Sequence, residues 1–149
     1  MASETKHGNS GYKRFLPLVY TKKGKVEFDP RCIYRSLLRE TDISEEGALS
    51  VTKKVTRVLI KINLSIITAP LIREVVNVQL LKMGLERIRL QYTRLGMPKY
   101  DIKRLKEEYH DINEILRRIG EWTLWEYEAV DDLIDKKKSC KQLQVNKDK

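Results

Sequence analysis

Between Ile33 and Ile134 apolar residues recur at steps of three and four, the spacing that aligns them on one face of an α-helix. That repetition restricts the chain to a mostly helical fold. Proline, glycine and short polar residues cut the pattern into segments. Asp29 followed by Pro30 supplies an N-cap and a proline at the first helical position, which predicts a helix over 30–39 burying Ile33, Leu37 and Tyr34. Ser44, backed by Glu45 and Glu46, opens a second helix in which Leu49, Thr52, Val55, Leu59 and Ile62 share a face. Thr68 and Pro70 open a third, apolar nearly all round from Leu71 to Leu80 and therefore expected at the centre of the bundle. Gly84 interrupts, and Ile88, Tyr92 and Leu95 mark a short fourth helix closed by Gly96 and Pro98.

Past that break, Ile102, Leu105, Tyr109, Ile112, Leu116 and Ile119 keep heptad spacing and read as one element. Gly120 is expected to divide it from a last helix carrying Trp122, Trp125, Val130, Leu133 and Ile134. In front of the first helix, partial alternation over 15–19 and 25–28, with Lys22, Lys23 and Gly24 between, predicts a β-hairpin. The expected organisation is a tail over 1–12, a first domain over 13–98, a helical pair over 99–136 and a basic tail over 137–149. Both tails offer few apolar groups to bury and are expected to be disordered.

Several kinds of chemistry find no residues here. The chain has two histidines, His7 in the N-terminal tail and His110 among charges, so neither a histidine metal site nor a nucleophile–histidine–acid set can be assembled. Asp131 and Asp132 are adjacent on a helix and face different ways. Cys32 and Cys140 stand alone in dissimilar surroundings, and the glycine-rich phosphate loops are missing. No enzyme activity is expected. No apolar run approaches the length of a membrane span and the N-terminus lacks an apolar signal core, so the expected location is the cytoplasm. A net charge of +9 favours phosphate-bearing partners, nucleotide or nucleic acid alike.

Three stretches narrow that choice: SLLRET at 36–41, APLIREVVNVQLL at 69–81 and QYTRLGMPKYDIKRL at 91–105. In order and spacing they resemble the ATP cone, the regulatory nucleotide-binding module at the start of many ribonucleotide reductases, and most of all the cone of archaeal anaerobic ribonucleoside-triphosphate reductases. In those enzymes a segment like YTRLGMPKYD leads into the catalytic barrel. Here EEYHDINEILRRIGEWTLWEYEAVDDLI follows, which resembles neither the barrel nor its glycyl-radical terminus, so a stand-alone cone is expected.

The resemblance implies a mostly α, α+β fold: a β-hairpin or three-stranded cap on a four-helix bundle, holding ATP or dATP, with or without Mg2+, between cap and helices. It also implies the site. Val19, Lys22, Lys23 and Gly24 match the family's V-x-K-R-D-G with one residue missing before the glycine. Cys32 stands at the basic position of F-D-x-x-[KR]-I, leaving Arg31 and Arg35 as the nearest cations. Thr68 matches the threonine at the third-helix N-terminus, a position equally suited to a simple N-cap. Arg73 and Arg94 match basic positions facing the pocket, and Arg94 equally suits a surface ion pair.

The expected function is a regulatory domain that senses adenine nucleotide and controls a partner, a ribonucleotide reductase or its control system. The alternative is a basic helical nucleic-acid-binding protein or transcriptional regulator with a degenerate cone, although no groove-reading motif or four-cysteine zinc ribbon is present. The C-terminal stripe has two readings as well. Leu105, Ile112, Trp122 and Trp125 suit an interface with a second copy or a partner, and they equally suit packing within the chain.

Overall fold

The computed structural model describes residues 16–145, with side chains described through residue 136. The described chain is mostly helical, with six helices and a three-stranded mixed sheet. It divides into two compact units, Met1–Gly84 and Leu85–Lys149. The division falls at Gly84, whose φ of 70° lies in the left-handed region that glycine adopts without a steric penalty.

The first unit runs β1 (Leu18–Thr21), β2 (Gly24–Glu27), α1 (Pro30–Glu40), α2 (Glu45–Ile62), β3 (Ile66–Thr68) and α3 (Ala69–Lys82). The hairpin lies nearer the turn than the alternation suggested, at 18–21 and 24–27 rather than 15–19 and 25–28, with Phe15 outside the described residues. The turn accounts for the shift. The Thr21 hydroxyl donates to the Gly24 carbonyl at 2.8 Å and accepts from the Lys23 amide at 3.2 Å, while Gly24 takes φ 119°. Thr21 therefore pairs directly with Gly24 across a two-residue turn. A third strand completes the sheet in the order β2-β1-β3, with β3 parallel to β1. Val19 and Ile67 point inward and are buried, and Leu18, Tyr20, Ile66 and Thr68 alternate outward.

Each helix of this unit starts where a side-chain oxygen takes an orphan amide. Asp29 accepts from Arg31, Ser44 from Gly47 and Thr68 from Leu71. The buried face of α2 is displaced from the expected one. It comprises Ala48, Val51, Thr52, Val55 and Leu59, whereas Leu49 and Ile62 are 47% and 49% exposed. Ala48 allows close approach, and the buried Thr52 hydroxyl is satisfied by the Ala48 carbonyl at 2.8 Å. The central helix is also not the one expected. α2 packs on both α1 and α3, whereas α3 buries Val76, Gln79 and Leu80 and leaves Leu71, Val78 and Leu81 exposed. Among the described residues, α2 and the sheet cover α3 on the side of Val76 and Leu80.

The second unit contains α4 (Glu86–Gln91), α5 (Lys99–Glu108) and α6 (Ile112–Val145). α4 ends at Gln91 with Tyr92 as its C-cap, short of Leu95, and residues 93–98 are irregular. The heptad stripe is two helices rather than one. Tyr109 is extended, and Asp111 caps a new helix by accepting the Asn113 amide on its side chain at 3.0 Å. A side-chain cap offers the backbone an alternative to continuing the helix, whatever the apolar spacing beyond it. Gly120, the expected divider, lies inside α6; glycine costs only about 1 kcal/mol in a helix. α6 also continues to Val145, so most of the segment expected to be a disordered tail is helical. Residues 1–12 and 146–149, assigned to tails, lie outside the described residues. Among the described residues of this unit, Ile88, Leu90, Tyr92 and Ile115 are the buried apolar ones, where α4 and α5 pack on α6.

Candidate functional site

The parallel pairing of Tyr20 with Thr68 brings two features to one end of the sheet: the Lys22–Lys23–Gly24 turn and the first turn of α3. Lys22 and Lys23 are exposed. Thr68 caps α3, its hydroxyl accepting the Leu71 amide at 3.3 Å. The amides of a helix's first turn and its macrodipole place partial positive charge there. Two ammonium groups at the same end of the sheet as a helix N-terminus favour a multiply charged anion. Tyr20 and Lys25 belong to the same end, paired across β1 and β2, with Tyr20 58% exposed. Neither belongs to the set that the sequence resemblance implies. The signal was available in the alternation, because an inward Val19 requires an outward Tyr20.

The remaining site residues lie elsewhere. Val19 is 8% exposed between Val26 and Ile67 and supports the sheet from within. Arg73 grips Glu40 with two hydrogen bonds, 2.8 and 3.2 Å, and both side chains are about one-quarter exposed. Arg39 adds a contact at 3.0 Å, and the Arg73 guanidinium first, then Arg39, holds the Glu40 carboxyl below its usual range. Arg73 thus joins α3 to the end of α1. Arg31 pairs with Asp29 through Nε at 3.0 and 3.1 Å and lowers that carboxyl's pKa. Arg35 is exposed one turn further along α1, and Cys32 is an exposed free thiol. Arg94 is exposed in the irregular segment of the second unit.

Arg31 lines a different feature, an open groove of about 1030 Å³ at the opposite end of the hairpin. Its walls include Phe28, Tyr34, Leu49 and Ile60, with Lys53 and Arg57 of α2 beside them. From Gly24 to Glu27 the strand rises about 10 Å, so the lysine turn and Arg31 mark separate ends of the sheet.

In the second unit Leu105 is half-buried, whereas Ile112, Trp122 and Trp125 are exposed on α6. The two indoles contact each other with centroids 5.6 Å apart. Arg117 and then Arg118 hold the Glu114 carboxyl at a pKa of about 2, and the Arg118 guanidinium lies 4.3 Å from the centre of the Tyr109 ring.

Among the described residues no group of three His, Cys, Asp or Glu side chains could hold a metal ion, and no helix is long and apolar enough to cross a membrane. No family model, curated protein or solved structure matches the chain.

Proposed function

We propose that the first unit is a nucleotide-binding regulatory module, an ATP-cone-like domain that takes ATP or dATP and passes its state to a partner of the ribonucleotide reductase system. The observation that carries this reading is the register of β3 on β1, which brings the Lys22–Lys23 turn and the capped N-terminus of α3 to the same end of the sheet. Lys22 and Lys23 meet the phosphates together with the first-turn amides of α3, and the exposed ring of Tyr20 offers the adenine a flat surface. Each charge-assisted hydrogen bond to phosphate contributes about 1.5–3 kcal/mol. The three stretches that resemble reductase cones supply the choice of adenine nucleotide over other anions.

Calorimetric titration and thermal unfolding with ATP and dATP test this. A ligand bound only by the folded state raises Tm by mass action. The wild type is expected to respond, and the Lys22→Ala/Lys23→Ala variant to lose most of the response while keeping its helical content. An unchanged response in the variant removes the phosphate assignment. A duplex shifted at physiological salt, with no nucleotide response, replaces this reading with the nucleic-acid one.

A further inference from the structure

The groove at the far end of the hairpin and the exposed face of α6 are complementary in three respects. The first is chemistry. The groove combines the apolar walls of Phe28, Tyr34, Leu49 and Ile60 with three exposed cations, Arg31, Lys53 and Arg57. Its two carboxylates, Glu27 and Asp29, lie at the end of β2 and the start of α1, where Asp29 pairs with Arg31, and Lys53 and Arg57 stand together on α2. On α6, residues 121–135 contain six carboxylates and no basic residue, together with Trp122 and Trp125. The second is spacing. Glu121, Trp125, Glu128 and Asp132 follow one another at steps of four, three and four, so acids flank the exposed indole of Trp125 on one helix face. Glu128 and Asp132 are four residues apart, as are Lys53 and Arg57 on α2. The third is size. A helix about 10 Å across that rises 1.5 Å per residue fills about 1200 Å³ per ten residues. A groove of about 1030 Å³ therefore accepts some two and a half turns, and more when one side of the helix stays in water.

We infer that the groove receives the acidic, aromatic face of α6 from a second copy of the chain. Trp125 enters between Tyr34 and Leu49, and Glu128 and Asp132 meet Lys53 and Arg57. Each copy carries both the groove and the helix, so the proposed assembly is a dimer in which the contact is made twice. The alternative of two α6 helices packed on each other through this face sets Glu121, Glu128 and Asp132 against the same three carboxylates, a repulsion that the groove's cations remove. Trp125, at 61% exposure, is the large aromatic anchor that interface centres favour. The lysine turn at the other end of the sheet takes no part, so this inference stands or falls independently of nucleotide binding.

The test is sedimentation of the full chain over a range of concentrations and salt, with tryptophan emission as a second readout because both indoles lie on α6. The wild type is expected to dimerise, with emission shifting to the blue as it does, and to weaken as salt rises. Arg57→Glu, Asp132→Arg and Trp125→Ala, all at exposed positions, are each expected to weaken the dimer at least roughly tenfold. Arg57→Glu combined with Asp132→Arg in one chain restores it, because the exchanged charges meet again. A monomer at every concentration overturns the proposal. So does a dimer that is lost with Trp125→Ala but indifferent to Arg57→Glu, since that result assigns the α6 face to another surface.

Discussion

The two units of this chain are stabilised in different ways. The first buries a layered core, with Leu37, Val51, Val55, Val76 and Leu80 fully inside and a sheet closing one side. The second buries little, and along α6 it exposes Ile112, Leu116, Leu124, Trp125 and Tyr127 beside a surface network in which Arg117 contacts both Glu114 and Glu121. Apolar burial stabilises at about 25 cal/mol per Å², whereas exposed ion pairs typically contribute less than about 1 kcal/mol. Structure with a dense core suits a binding platform, and structure with unspent apolar surface suits contact with another molecule.

The sharpest way to break that contrast is to cut each core. Leu37→Ala removes a side chain with no exposure from the α1–α2 interface and is expected to cost about 2–5 kcal/mol. Ile115→Ala, in the thinner core, belongs at the low end of that range because its open surroundings relax more easily. Both tryptophans are in the second unit. At protein concentrations low enough for the chain to be monomeric, Leu37→Ala should therefore lower the denaturant midpoint seen by circular dichroism while leaving the tryptophan-emission midpoint in place. A single transition moving equally for both probes would show that the chain melts as one cooperative body.

A smaller effect tests whether the first unit also depends on charge. Glu40→Gln removes the carboxylate that the half-buried Arg73 guanidinium grips and is expected to cost about 1.5–3 kcal/mol, the range of a hydrogen bond to a charged group. The pH dependence has a defined sign. Glu40 is held below its usual range by Arg73, so its contribution is complete above the unfolded carboxylate pKa, about 4.3, and is lost as pH falls through the lower folded value. Acid unfolding curves of wild type and variant should therefore converge at low pH. A gap that persists there would mean that the side chain matters for shape rather than charge.

Such a pair shows what a sequence conceals. The helix starts at Asp29, Ser44 and Thr68 are legible because each rests on one side chain and one nearby amide. The Glu40–Arg73 bond joins residues 33 apart and leaves no local mark. Which face of α2 turns inward was misread by one position, since Ala48 and Leu49 both suit a helix and only the packing of α1 and α3 decides between them. The break at 109–111 was hidden by a heptad spacing that runs through it, and Gly120 suggested a break that α6 does not have. For the site, the lysine turn and Thr68 were readable. That they share one end of a sheet depends on β3, three residues too short to announce themselves.

At the lysine-turn end of the sheet, Thr68→Ala removes the α3 cap and is expected to cost about 1 kcal/mol. On the proposed nucleotide reading it also reduces the ATP-induced rise in Tm. A variant that lost stability but kept the full ATP response would confine Thr68 to its capping role.

The smallest expected effect lies in the second unit and bears directly on the contrast. Glu114 is held at a pKa of about 2 by Arg117 and then Arg118, a shift that taken alone suggests a strong structural contact. Yet the Arg117 side chain is half exposed, water and salt screen the pair, and Arg117 also reaches Glu121. By sign, whatever the network contributes is complete above the ordinary carboxylate range and disappears only as pH falls toward 2. Glu114→Gln should therefore leave the unfolding midpoint at neutral pH unchanged within error, while the wild-type carboxyl titrates by NMR at about 2. A clear drop in the tryptophan-emission midpoint of the variant would mean that the ion pairs around Glu114 sustain the second unit, and that the two units differ less in how they are held than their cores suggest.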